Sequence, residues 1–141
     1  MSQENVEIAR EGLEAISAAY KTGDLNRWRR HVEKTFDSDV VLEAGSEAFT
    51  EGDWRGHDGA VGFVANQMEV LEGMWLKADE IIDVDDDLLV VLLRFGGHAR
   101  HTGIDVKLSP GHVFDLRDGK VLRWRIFGDR ERALEAAGLS E

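Results

Sequence analysis

Residues 112–139 read HVFDLRDGKVLRWRIFGDRERALEAAGL. Apolar and polar residues alternate on both sides of Asp118-Gly119, a dipeptide suited to a tight hairpin turn, so two antiparallel strands are expected at about 104–117 and 120–128. After Gly128 the period changes from two to between three and four. Ala133, Leu134 and Ala137 then share one face of a short helix that starts at Asp129 and stops before Gly138.

Upstream of this segment the strand pattern continues. LLVVLLRF at 88–95 is apolar at both parities, which marks a strand covered on both faces. Further strands are expected at about 74–83 and 87–100, with the acidic run at 83–87 and His-Thr-Gly at 101–103 as turns. Together these strands read as an antiparallel meander.

The first seventy residues read differently. Val6, Ala9, Leu13, Ile16 and Tyr20 form one stripe of a helix over about 3–22. Gly23 suits its C-terminal cap, and Asp24 opens a second helix with Leu25, Trp28, Val32 and Phe36 as its stripe. DVVLEA at 39–44 is a short strand. GSEAFTEGDWRGHDG at 45–59 breaks every period and is expected to be a loop and a candidate lid. A third helix, at about 58–71, carries Val61, Val64, Met68 and Leu71. Helices first and strands afterward make an α+β layer fold with the helices on one face of the sheet. The other face also needs cover, which a second copy in a two-fold dimer would supply.

The totals fit one cytoplasmic domain. The chain has 141 residues, 43% apolar and 32% charged, with no cysteine. A domain of this length buries roughly 68–70% of its unfolded surface without covalent staples. The absence of cysteine rules out disulfides, thiolate metal sites and cysteine nucleophiles, and fits a reducing compartment. No apolar run reaches the length of a membrane span, and the opening residues lack the pattern of an export signal. Twenty-eight acidic residues against 17 basic ones give a net charge of −11, which disfavours nucleic acid and anionic membranes as partners.

NVEIAREGLEAISAAYKTGDLNRW at 5–28, FDSDVVLEA at 36–44 and the segment 112–139 together resemble the SnoaL-like branch of the nuclear transport factor two-like superfamily. The resemblance spans nearly the whole chain. It implies a cone-shaped α+β fold: a strongly curved mixed or antiparallel sheet wrapped around three N-terminal helices, a short C-terminal helix, and a small-molecule pocket between them. It also implies a homodimer through the sheet face. Cyclases, isomerases, epoxide hydrolases and members without catalysis share this fold. The acid/base residue of SnoaL-like polyketide cyclases matches Asp129, and a pocket histidine matches His112. The functional positions of ketosteroid isomerases fall on or near Ala44, Ile16 and Gly111, which lack the needed groups. No Asp-Arg-Asp set of the epoxide-hydrolase kind can be placed on the strands.

Each candidate side chain also has a structural reading. Asp129 exchanges a proton if a pocket raises its pKa, or it caps the last helix. His112 polarises a carbonyl, or it is a hydrogen-bonded wall residue. Arg125 and Phe127 share parity with Asp129 and line the pocket in one orientation of the last strand; in the other, Leu122, Trp124 and Ile126 point inward. Tyr20, Trp28 and Phe63 are aromatic walls for a flat ligand, or core. Trp54 closes over the pocket, or packs on the body. His31, Glu43 and Arg94 are candidate pocket polars, with a Glu43–Arg94 ion pair as the structural alternative.

No metal is expected. His98 and His101 fall on opposite faces of a strand, and the acidic run lacks the glycine and glutamate of a calcium loop. Glycine-rich phosphate loops and nucleophile elbows are absent as well. The expected function is a cofactor-free lyase or isomerase acting on a carbonyl-containing apolar or polycyclic ligand. The alternative is a non-catalytic ligand-binding or dimerisation module of the same fold.

Overall fold

A computed structural model describes residues 2–45 and 52–139. The N-terminal stripe becomes α1 (Ser2–Thr22), which ends where Gly23 adopts a positive φ and returns its N–H to Ala19 O. Asp24 accepts the Asn26 N–H and starts α2 (Asn26–Thr35). β1 (Phe36–Ala44), β2 (Gly52–Arg55) and α3 (Gly56–Val70) follow, then the strands β3 (Leu71–Asp85), β4 (Leu88–Ala99), β5 (Asp105–Leu108), β6 (Gly111–Arg117) and β7 (Lys120–Phe127), and finally α4 (Arg130–Ala136).

The strands form one open mixed sheet in the order β2-β1-β7-β6-β4-β3, with β5 beside β4. β1 and β7 run parallel, and every other pair is antiparallel. Buried residues of α1, α2 and α3 share the main core with Leu89, Val91, Leu93 and Phe95, the inward parity of β4. The opposite parity, Val90 and Leu92, joins Val113, Ala133 and Ala137 in a second cluster on the outer face. The two-sided apolarity of 88–95 is therefore satisfied by helices on both faces, and over Val90 and Leu92 the cover is α4 of the same chain.

Two features depart from the sequence reading. Residues 52–55 of the expected loop pair with β1, from Ala44↔Gly52 to Val41↔Arg55; residues 46–51, the rest of the candidate lid, lie outside the described residues. The single strand expected at 104–117 is two, broken at Ser109-Pro110. Proline has no N–H for a ladder, and Pro110 instead accepts the Leu93 N–H through its carbonyl. The meander itself is antiparallel throughout, as expected, and the one parallel pair arises where its last strand, β7, lies beside β1.

A bulge at Leu122 sets the facing of β7. Asp115 pairs with Arg123 and Leu116 with Val121, so Leu122 is the extra residue. Val121, Trp124 and Ile126 consequently belong to the inner core, and Arg123, Arg125 and Phe127 lie on the outer face.

Candidate functional site

Between α1–α3 and the inner face of the sheet lies a cavity of about 80 Å³. Its wall holds five of the expected site residues, Tyr20, Trp28, His31, Phe63 and His112. No Asp, Glu, Lys or Arg is in that wall among the described residues.

The wall is an aromatic nest. Trp28 and Trp124 meet edge to face at 5.9 Å, and Phe36 and Phe63 meet Trp124 in the same way at 5.9 and 6.0 Å. Trp28 is held by its own indole N–H, which donates to Ala60 O at 3.2 Å. His31 stacks on Trp28 at 5.7 Å, and its Nε2 lies 3.3 Å from Thr35 Oγ1. Desolvation holds the His31 pKa below the ordinary histidine value.

Four further polar side chains line the cavity, in two hydrogen-bonded pairs. The Tyr20 hydroxyl donates to Gln67 Oε1 at 3.1 Å, and burial pushes its pKa up, so it stays a neutral phenol. Trp124 donates its indole N–H to His112 Nδ1 at 3.0 Å. His112 is half-buried by surface area and lines the cavity, and desolvation pushes its pKa down to about 3. At neutral pH the imidazole is thus uncharged.

The other expected residues stand apart from this wall. The Asp129 carboxylate accepts the Glu131 N–H at 2.9 Å as the N-cap of α4, although Gly128 before it does line the cavity. Arg125 pairs with Asp115 at 3.2 Å, and Phe127 packs in the outer cluster beneath α4. Trp54 packs on Phe63 from behind at 5.9 Å and over α3, where a Cβ at Gly59 would come within 2.7 Å of the Trp54 backbone.

Glu43 and Arg94 do not pair with each other. Two strands, β7 and β6, separate β1 from β4, a gap of roughly 14 Å at the usual interstrand spacing. Glu43 instead takes a bidentate bond from Arg123, both contacts at 2.9 Å, which holds its carboxyl below the usual range. Arg94 bonds Asp79 at 2.9 Å on the outer face.

Gln67 and Trp124 are cavity residues that were not singled out as site candidates from sequence. Gln67 lies three residues after Val64 and seven after Ala60, on the buried face of α3, and its polarity hid it among apolar neighbours. Trp124 was visible only as one of two possible facings of β7. No cluster of three or more metal-ligating side chains occurs among the described residues, and none of their helices is long and apolar enough to cross a membrane.

The sequence profile of a family described as a SnoaL-like domain matches residues 13–124. Solved structures of the same fold include an NTF2-like protein of unknown function from Burkholderia pseudomallei, 21% identical with a TM-score of 0.71 over 95% of this chain and 97% of that one. TerC, co-crystallised with polyporic acid, is 23% identical with a TM-score of 0.70 over 95% and 97%. An LEH-like epoxide hydrolase from M. tuberculosis is 16% identical with a TM-score of 0.65 over 96% and 90%. At these identities the likeness is one of fold. No functionally curated protein matches the chain in sequence.

Proposed function

The chain belongs to the SnoaL-like domain family, and from that premise we propose that it binds a small, uncharged, apolar ligand carrying a carbonyl group in the cavity beneath its sheet. The observation that carries this reading is the wall itself: aromatic and aliphatic side chains, with polar groups that are all neutral. An ion entering such a wall would lose its hydration without gaining a partner. The co-crystallisation of TerC with polyporic acid supports a small organic ligand. Room of about 80 Å³ is well below the roughly 300–1,000 Å³ of pockets for drug-sized molecules. A cavity of roughly 150 Å³ holds benzene, so even a single ring requires the walls to give somewhat, and a polycyclic ligand requires them to open much further.

A cofactor-free lyase or isomerase with Asp129 as acid/base and His112 as polarising donor is the second reading. Its favouring observation is that Asp129 directly follows Gly128 of the cavity wall. It requires the carboxylate to give up its bond to the α4 backbone.

As an assembly, the reading is a homodimer through the outer sheet face. Trp75 lies there over Gly96, 39% exposed. Trp75→Glu is expected to turn a dimer into a monomer by sedimentation; a wild-type monomer would remove this part. A cysteine-free chain fits the cytoplasm.

Ligand binding is tested by titrating α-methylstyrene while following the methyl signals of Val91 and Leu93 by NMR. Saturable shifts are expected, and Ala9→Leu, which adds bulk to the same wall, should weaken them. Shifts that never saturate, or that Ala9→Leu leaves unchanged, would overturn the reading.

A further inference from the structure

We propose that Trp124 is a positioning residue that fixes His112 as a permanent Nε2–H donor, making the cavity selective for ligands that present a carbonyl oxygen. The proposal rests on the ligand cavity above and adds to it the means of selection.

The indole nitrogen can only donate, so its bond to His112 Nδ1 at 3.0 Å requires a lone pair there. In the neutral ring the single proton must then sit on Nε2. Adding a second proton would set two N–H groups against each other, so the same contact that selects the tautomer also resists the imidazolium. Burial acts in the same direction.

Trp124 cannot readily turn its N–H elsewhere. It is 2% exposed, stacks on Phe114 at 5.4 Å, and is gripped edge to face by Trp28, Phe36 and Phe63. Packing therefore sets the direction of the donor, and the donor sets the chemistry of the histidine.

Nε2 has no hydrogen-bond partner among the described residues, yet it is not among the atoms sealed off by protein. Its proton is available to the cavity. The other titratable groups in the wall are engaged: Tyr20 donates to Gln67 Oε1, and His31 Nε2 lies beside Thr35 Oγ1. With no charged side chain in that wall among the described residues, nothing there competes electrostatically for the imidazole. The Gln67 amide is another group able to donate, and a His112 variant separates the two.

Acetophenone and α-methylstyrene have nearly the same shape and differ by a C=O in place of a C=CH2. A buried donor left without an acceptor disfavours the hydrocarbon, so roughly 10-fold tighter binding of the ketone is expected. His112→Phe should abolish that preference while still binding α-methylstyrene, and Trp124→Phe should reduce it. Ring 15N spectra of the wild type should show His112 as the neutral Nε2–H tautomer at pH 7 and still neutral at pH 5, with Nδ1-protonated forms appearing in Trp124→Phe. Equal affinities for the two compounds, or a ketone preference that survives His112→Phe, would overturn the proposal and leave the ligand cavity standing. Binding of neither compound would remove the ligand reading, and the carbonyl selectivity with it. The spectra test the Trp124 role without any ligand: an Nδ1–H ring in the wild type, or a ring that titrates near its ordinary value, overturns that role.

Discussion

The Asp129 carboxylate accepts the Glu131 N–H, one of the backbone donors that a helix start leaves unmatched. Removing it should therefore act on stability first. Asp129→Ala is expected to cost about 1 kcal/mol in urea unfolding and to leave the affinity for α-methylstyrene unchanged. Asp129→Asn, which keeps an acceptor oxygen, should cost only a few tenths of that. An affinity collapse in Asp129→Ala without any loss of stability would move the carboxylate into the site. This residue also shows what a sequence discloses at single positions. An Asp one residue ahead of a short helix was readable as a cap, because capping depends on neighbours in the chain. The facing of Arg125 and Trp124 was not readable. Both parities of β7 carry bulky side chains, and the bulge at Leu122 that sets the phase exists only in the pairing with β6.

At the scale of elements, α4 lies on the outer face of the sheet through an unusually close approach. A Cβ on Gly111 would stand 2.4 Å from the Ala133 Cβ, a distance that no rotamer change relieves because both are first side-chain atoms. Arg130 adds a bond to Leu93 O at 2.9 Å and a contact with Asp79, which also holds Arg94. Gly111→Ala is expected to lever α4 away at a cost of roughly 1–3 kcal/mol. Hydrogen exchange should quicken at Ala133 and Ala137, whose N–H groups close the helix onto Asp129 O and Ala133 O, while β4 amides stay protected. Equal acceleration throughout would mean that α4 is not a separable element. Helices and long strands were legible because their periods are local. β2 was not: GDWR is only four residues, too few for its alternation to establish a period, and it becomes a strand by pairing with β1.

Over the whole molecule, the desolvated His112 couples stability to acid. Its pKa is about 3 in the fold and near 6.5 in the unfolded chain, so the unfolded state takes up a proton first as pH falls. The stability of the neutral ring is fully present above pH 6.5, declines below it, and is exhausted near pH 3. The slope approaches about 1.4 kcal/mol per pH unit once pH is well below 6.5, which amounts to on the order of 2 kcal/mol by pH 5. His31, also held below its ordinary value, adds to the same limb. Glu43 has a depressed pKa as well, but its contribution is lost only as pH falls through the carboxylate range, and its pair with Arg123 is too exposed to weigh much. The difference between the wild type and a His112 variant over pH 6.5 to 5 therefore isolates the contribution of this imidazole. His112→Phe should be less stable than the wild type at pH 7, because the Trp124 N–H loses its acceptor, roughly 1–3 kcal/mol for a buried donor. Its stability should nevertheless fall less between pH 6.5 and 5, so the two curves converge as acid is added. Urea unfolding at half-unit steps of pH measures both. Parallel curves would mean that His112 takes its proton in the fold as readily as in the unfolded chain, and that the cavity wall carries a charge in mild acid after all.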